Sequence, residues 1–220
     1  MIEAGQPPTA ILLSAGGNDV TGRRLAKLVD LSNPATPTWR AADLAQPADI
    51  AQTVDVQMRA WLEYALDELT RTATIALGGT PIPIVIHGYD YPVPDARHSL
   101  AGILLPDMLW LYPSFVASPA PSPVFPVLPA YNQNHVALMQ ALIERFNQMQ
   151  KTVAELPRFR HHVIHADLTG TLSNGETNYK DHWDNELHPT EAGFSLLTAR
   201  LVSAMQNRIA TLRPDVKSAL

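Results

Sequence analysis

A chain of 220 residues, 46% hydrophobic and 17% charged, can bury one α/β-sized core and is too apolar to be disordered. Its net charge of −5 offers no general attraction to nucleic acid or anionic lipid, and the lack of cysteine excludes disulfides, thiolate metal sites and cysteine nucleophiles. No run approaches ~18 apolar residues, so no membrane span is predicted. Met1–Gln6 lacks the basic and apolar regions of a signal peptide, so the chain as written is expected in the cytoplasm, with any further targeting unknown.

Ala10 to Leu13 reads as a short buried strand ended by Gly16-Gly17. Val20 to Asp30 predicts one or two helical turns, and Asn33 to Arg40, with two prolines, a loop. From Val54 to Leu77, Met58, Trp61, Leu62, Ala65, Leu66, Leu69 and Ala73 recur at helical spacing, and Gly78-Gly79 closes the helix. Ile82 to Ile86 is a second β-branched run. The proline-rich stretch at about 89–133 has little periodicity and many aromatics, which suits a lid, a binding loop or an irregular cover for the core.

His135 to Leu156 predicts a second long amphipathic helix. His161 to Ala166 predicts a third strand, followed by Asp167 as a turn cap. Glu191 to Leu212 predicts a C-terminal helix with Leu197, Leu201, Val202 and Met205 on its buried face. Strands alternating with long helices predict one α/β domain over residues 1–220, with a parallel sheet covered on both faces. Neither a dinucleotide fingerprint nor a phosphate loop is present. His161, His162 and His165 cluster without a carboxylate at metal-ligand spacing, so no metal is expected.

Two segments carry chemistry. Ala15-Gly16-Gly17-Asn18-Asp19 follows the first strand. In parallel sheets ligands collect at the carboxyl ends of strands. Glycine there admits a substrate to the backbone, and Asn18 could donate its amide N–H to an oxyanion, an effect worth ~3 kcal/mol. A tight turn in which Asp19 caps a helix explains the same residues without catalysis. Trp183-Asp184-Asn185-Glu186-Leu187-His188-Pro189-Thr190 places a histidine just before a helix, with Asp184 four residues back and Asn185 three back. A histidine base needs an acceptor on Nδ1, which such neighbours could supply. His87, at the second strand's end, could line the same pocket or be an ordinary loop histidine.

Together these segments resemble the SGNH (GDSL) hydrolase superfamily, in its bacterial esterase and lipase-like form. Gly16-Gly17-Asn18-Asp19 resembles its Gly-x-Asn-Asp block, and His188 with its upstream acid its Asp-x-x-His block. His87-Gly88-Tyr89-Asp90-Tyr91 and Asp167-Leu168-Thr169-Gly170-Thr171-Leu172 match a bacterial subgroup in order and spacing. The resemblance implies a three-layer α/β/α flavodoxin-like fold, serine-dependent hydrolysis of a small ester, Asn18 and Gly17 at the oxyanion, His188 as general base, and no cofactor.

Two departures accompany the resemblance. The position three residues before the histidine is Asn185, so Asp184, or Asp181, is expected to supply the carboxylate. The family's Gly-Asp-Ser block lies upstream of its Asn block, whereas this sequence opens on the strand leading into the Asn block. The first strand, the nucleophile and an oxyanion glycine are therefore expected to be missing. Ser14 lies four residues from Asn18 and is the nearest substitute, without a nucleophile elbow around it; Ser99, Ser114, Ser118, Ser122, Ser173 and Ser195 are further alternatives. The competing expectation is a truncated, non-catalytic domain that binds a ligand or partner. Loss of a central strand would expose an apolar edge, for which a homodimer completing the sheet is one solution.

Overall fold

Three short parallel strands form the centre of the molecule. In a computed structural model, which describes residues 8–17, 25, 28, 48–97, 111 and 131–212, β1 (Ile11–Leu13), β2 (Ile84–His87) and β3 (Val163–Ala166) lie in the order β1-β2-β3. Ile11 is in register with Ile84, and Ile84 with Val163. Both pairings are parallel, as the strand–helix alternation predicts.

The period-two alternation of side chains divides the core. Ile84, Ile86 and Val163 point to one face, where they pack with Leu66, Leu138, Met139 and Phe146. Val85, Ile164 and Ala166 point to the other, against Leu201, Met205 and Ile209. The first face is covered by a helical run beginning at α1 (Ala48–Ile50), π-helical over Ala51–Met58 and α-helical in α2 (Arg59–Ala76), together with α3 (Gln133–Ala154). The second is covered by α5 (Glu191–Leu212). A short helix, α4 (Tyr179–His182), precedes it.

Local chemistry sets the ends of these elements. Leu77 N–H returns to Ala73 O and Gly79 N–H to Thr74 O, which requires the positive φ of +80° at Gly78 and +100° at Gly79. The predicted glycine stop thus lies where the sequence put it. Helix α3 begins two residues before the predicted His135, because the Asn132 side chain accepts from Asn134 N and His135 N and caps the first turn. Strand β3 begins at Val163 and not at His161, because the chain is still turning: His162 N and Val163 N both bond to Phe159 O.

Other expectations need correction. Val202 is 43% exposed; the buried stripe of α5 runs through Leu201, Met205 and Ile209 at helical spacing. Trp61, expected on the buried face of its helix, is 59% exposed. Residues 90–97 form an inward-packed arm with Pro92 to Ala96 buried, the core-covering alternative for the start of the proline-rich stretch. Asn33–Arg40, and Val20–Asp30 apart from the buried Leu25 and Leu28, lie outside the described residues.

Among the described residues no helix is long and apolar enough to cross a membrane.

His135, His162 and His165 are all held below the ordinary histidine value, chiefly because burial disfavours the charged ring. The unfolded chain therefore takes up protons that the folded chain refuses. Stability should fall as pH drops through about 6.5, the unfolded value. Urea midpoints at pH 7.5 and 5.5 check this, and His165→Asn should reduce the difference. A midpoint that rises on acidification would contradict it.

Candidate active site

The His188 loop is closed at both ends by backbone. Trp183 and Pro189 form an antiparallel bridge, Asp184 N donates to His188 O at 2.9 Å, and Thr190 N donates to His182 O at 2.8 Å. Gly193, in the first turn of α5, packs so closely on His182 that a Cβ would lie 2.4 Å from its carbonyl oxygen. The loop is thereby fixed between α4 and α5, with the His188 side chain exposed beside its closing bonds.

Within the loop, Asn185 is 2% exposed and its Oδ1 accepts three times: from Leu187 N at 3.0 Å, His188 N at 2.9 Å and His188 Nδ1 at 3.0 Å. The two backbone donors fix the amide's orientation, since its NH2 could not face them. Oxygen, and not nitrogen, therefore faces the imidazole. An amide oxygen only accepts, so Nδ1 carries the proton and Nε2 presents a lone pair. That is the tautomer a general base needs.

The amide cannot answer a positive ring with a full negative charge. Asn185 Nδ2 does donate to Asp184 Oδ2 at 3.3 Å, which places a carboxylate behind the amide. Asp184 is exposed and reaches His188 through Asn185, and not in the direct contact expected of it. The side chain of Asp181 is exposed on α4, and its carbonyl oxygen accepts from Thr190 Oγ1.

The second corner lies at the carboxyl ends of β1 and β2. Gly17 N donates to Tyr89 Oη at 3.2 Å, and a Cβ on Gly17 would meet the Tyr89 ring at 2.9 Å. Glycine is required there for that approach, although the N–H expected at an oxyanion is occupied by the phenol. Tyr89 packs edge-on to His87 at 5.6 Å between ring centroids, and His87 Nδ1 donates to Gly88 O at 2.8 Å. Gly17 and His87 are thus joined through Tyr89. Asn18 lies outside the described residues, as do Ser99, Ser114, Ser118 and Ser122.

Of the other candidate serines, Ser14 is exposed just past β1, the Ser173 Oγ donates to Asn178, and the Ser195 Oγ donates to Glu191 O. Among the described residues no group of histidines and carboxylates comes together as a metal site.

Four buried polar side chains that the sequence reading did not single out hold these corners in place. Asn147 on α3 clamps the exit of β2, accepting from Tyr89 N at 3.0 Å and donating to Tyr89 O at 2.9 Å. Asp90 accepts from Tyr91 N, Gly170 N and Leu172 N, tying the exit of β2 to that of β3. Asp95, 0% exposed, accepts from Tyr179 Oη and pairs with Arg97, whose Nη1 donates to Trp183 O. Glu186, also 0% exposed, accepts from Ala96 N at 3.0 Å and Leu111 N at 2.9 Å. The signal for Asn147 was a polar residue within the apolar stripe of a helix. Asp90 and Glu186 lay within the quoted segments, but nothing marked any of the three acids as buried, because surface and buried acids look alike in sequence.

Compared with protein-family models, with curated proteins and with solved structures, the chain matches none.

Proposed function

We propose that the chain is a serine-dependent ester hydrolase of the SGNH type, with His188 as general base. The observation that carries this reading is the Asn185 amide, oriented by two backbone N–H groups so that its oxygen holds His188 Nδ1–H. An exposed surface histidine needs no such support; a catalytic one does.

The finer fold goes with it. In a flavodoxin-like sheet of order 2-1-3-4-5, the last three strands lie side by side in sequence order. The observed β1-β2-β3 order fits those three, with helices packed on the two faces as in a three-layer α/β/α arrangement. The Gly16-Gly17 corner and His87 then lie at the carboxyl ends, where this class of sheet binds ligands.

In the reaction, a serine Oγ–H gives its proton to His188 Nε2 while the oxygen adds to the ester carbonyl carbon. Asn18 and backbone N–H groups hold the resulting oxyanion. Collapse expels the alcohol, which takes the proton from His188. Water, activated by the same ring, then releases the acid and restores the serine.

One observation favours a second reading, a binding domain without turnover. The Gly17 N–H is donated to Tyr89, and the Oγ atoms of Ser173 and Ser195 are bonded elsewhere. A fluorophosphonate separates the two. One stoichiometric adduct by intact mass, lost in His188→Ala and located by peptide mapping, supports the hydrolase and names its serine. A folded protein without an adduct supports the binding domain.

The amide also sets an order among its neighbours. Asn185→Ala should lower kcat on the order of 10–100-fold by freeing the ring from its productive orientation. Asp184→Ala, one bond further away, should have the smaller effect. Steady-state hydrolysis of p-nitrophenyl acetate measures both, and a larger loss in Asp184→Ala would reverse the assignment.

A further inference from the structure

A cavity of about 200 Å³ lies between α2, α3 and the exit of β1, where Gly16 forms part of its wall. Met58, Trp61, Leu62, Phe146 and Met149 make most of that wall apolar. Gln150 of α3 shares it. That residue is 3% exposed, and its Oε1 is buried without a hydrogen-bond partner among the described residues.

The helix sets this arrangement. Phe146, Met149 and Gln150 stand three and four positions apart, so they share one face of α3. An amide thus occupies a place in an apolar stripe. Gly16 lets the chain pass against that face: at its φ of +96°, a Cβ would lie 2.7 Å from the Phe146 ring.

A buried acceptor left unmet is costly, and water is a poor answer to this one. A buried water usually makes about three hydrogen bonds. Among the side chains lining the cavity, only Gln150 and the Trp61 indole carry a nitrogen or oxygen. A hydroxyl on an apolar body serves better. It donates and accepts, so it meets either end of the amide, while the body covers the rest of the wall.

The wall also specifies the body. Two thioethers and two aromatic rings favour an aromatic occupant, since sulfur packs well at a ring edge and rings pair edge-on. An engineered cavity of about 150 Å³ takes up benzene. At about 200 Å³ this one has room for a ring with roughly two further atoms.

We infer that the cavity binds a small aromatic alcohol, a single ring whose one hydroxyl bonds to the Gln150 amide. The inference concerns binding and does not depend on the proposed activity.

Benzyl alcohol is the probe, and toluene, which lacks only the hydroxyl, is its control. With the full chain labelled at its methionine methyl groups, benzyl alcohol should shift the Met58 and Met149 signals saturably. Met205, on the other face of the sheet, should stay unmoved. The Kd should be about 1 mM or tighter, ordinary for a ligand of about eight non-hydrogen atoms. Gln150→Met keeps the length of the side chain and removes both hydrogen-bonding ends. It should move the ratio of the two affinities by about 3–10-fold in favour of toluene, the size of one hydrogen bond. Absence of a saturable shift at Met58 and Met149, as expected if water alone fills the cavity, overturns the inference. So does a ratio unchanged in Gln150→Met, which would make the cavity a purely apolar one. If that variant does not fold, the wild-type titrations still decide: a shift with toluene and none with benzyl alcohol overturns the inference as well.

Discussion

His188→Ala should lower kcat/KM for p-nitrophenyl acetate by about 10²–10⁴-fold, the usual contribution of a general base, and leave the melting temperature almost unchanged. The two halves of this expectation have separate causes. In the proposed reaction the ring would act through the lone pair at Nε2, with Asn185 Oδ1 holding the proton on Nδ1. Its structural role is small, because the side chain is exposed and the bonds that close the loop here are made by its backbone and its neighbours'. Rates and thermal melts of the same preparation test both. Full activity in the alanine variant would remove the ring from the reaction, whatever its geometry.

Glu186→Ala should cause the largest loss of stability. Its carboxylate serves Ala96 N and Leu111 N in a site with no exposure, and alanine leaves both donors buried without it. At ~1–3 kcal/mol for each unmet group, the cost is about 2–6 kcal/mol. For a chain of this size that corresponds to a fall of roughly 5–20 °C in Tm. Ala96 sharpens the dependence: its φ of +63° is unusual for a residue with a Cβ, and Glu186 is one of the groups that hold it there. Glu186→Gln keeps the size and one acceptor but turns an NH2 toward the other donor, so it should lose less than alanine. Differential scanning calorimetry of the two variants checks the order. An alanine variant within 1 kcal/mol of the wild type would contradict the assignment.

Elements that announce themselves by period were legible in the sequence. Leu66 and Leu69 in α2, the apolar stripe of α3, and Leu201 and Met205 in α5 all repeat where a helix turns. The β-branched Ile84-Val85-Ile86 run lies in the central strand. Element ends were less legible, because Asn132 and Phe159 act through local hydrogen bonds that leave no period. The spacing of Asn185 and His188 was visible, but which end of the amide faces the ring was not. That depends on Leu187 N and His188 N, backbone groups every sequence contains. The links from Asp90 to Gly170 and from Ala96 to Glu186 were illegible for a different reason: they join residues 80 and 90 positions apart.

Those separations also impose an order of events on a growing chain. Ala96 leaves the site of synthesis 90 residues ahead of the carboxylate that will receive its N–H. At ~5–20 residues per second, the arm from Asp90 to Arg97 waits roughly 5–20 s for its anchor. Throughout that interval the prolines and Val93 lack the contacts that bury them in the finished fold, and apolar segments exposed in this way are prone to aggregation. The interior acid that holds the rim of the mature protein thus also sets how long the unfinished one must be protected.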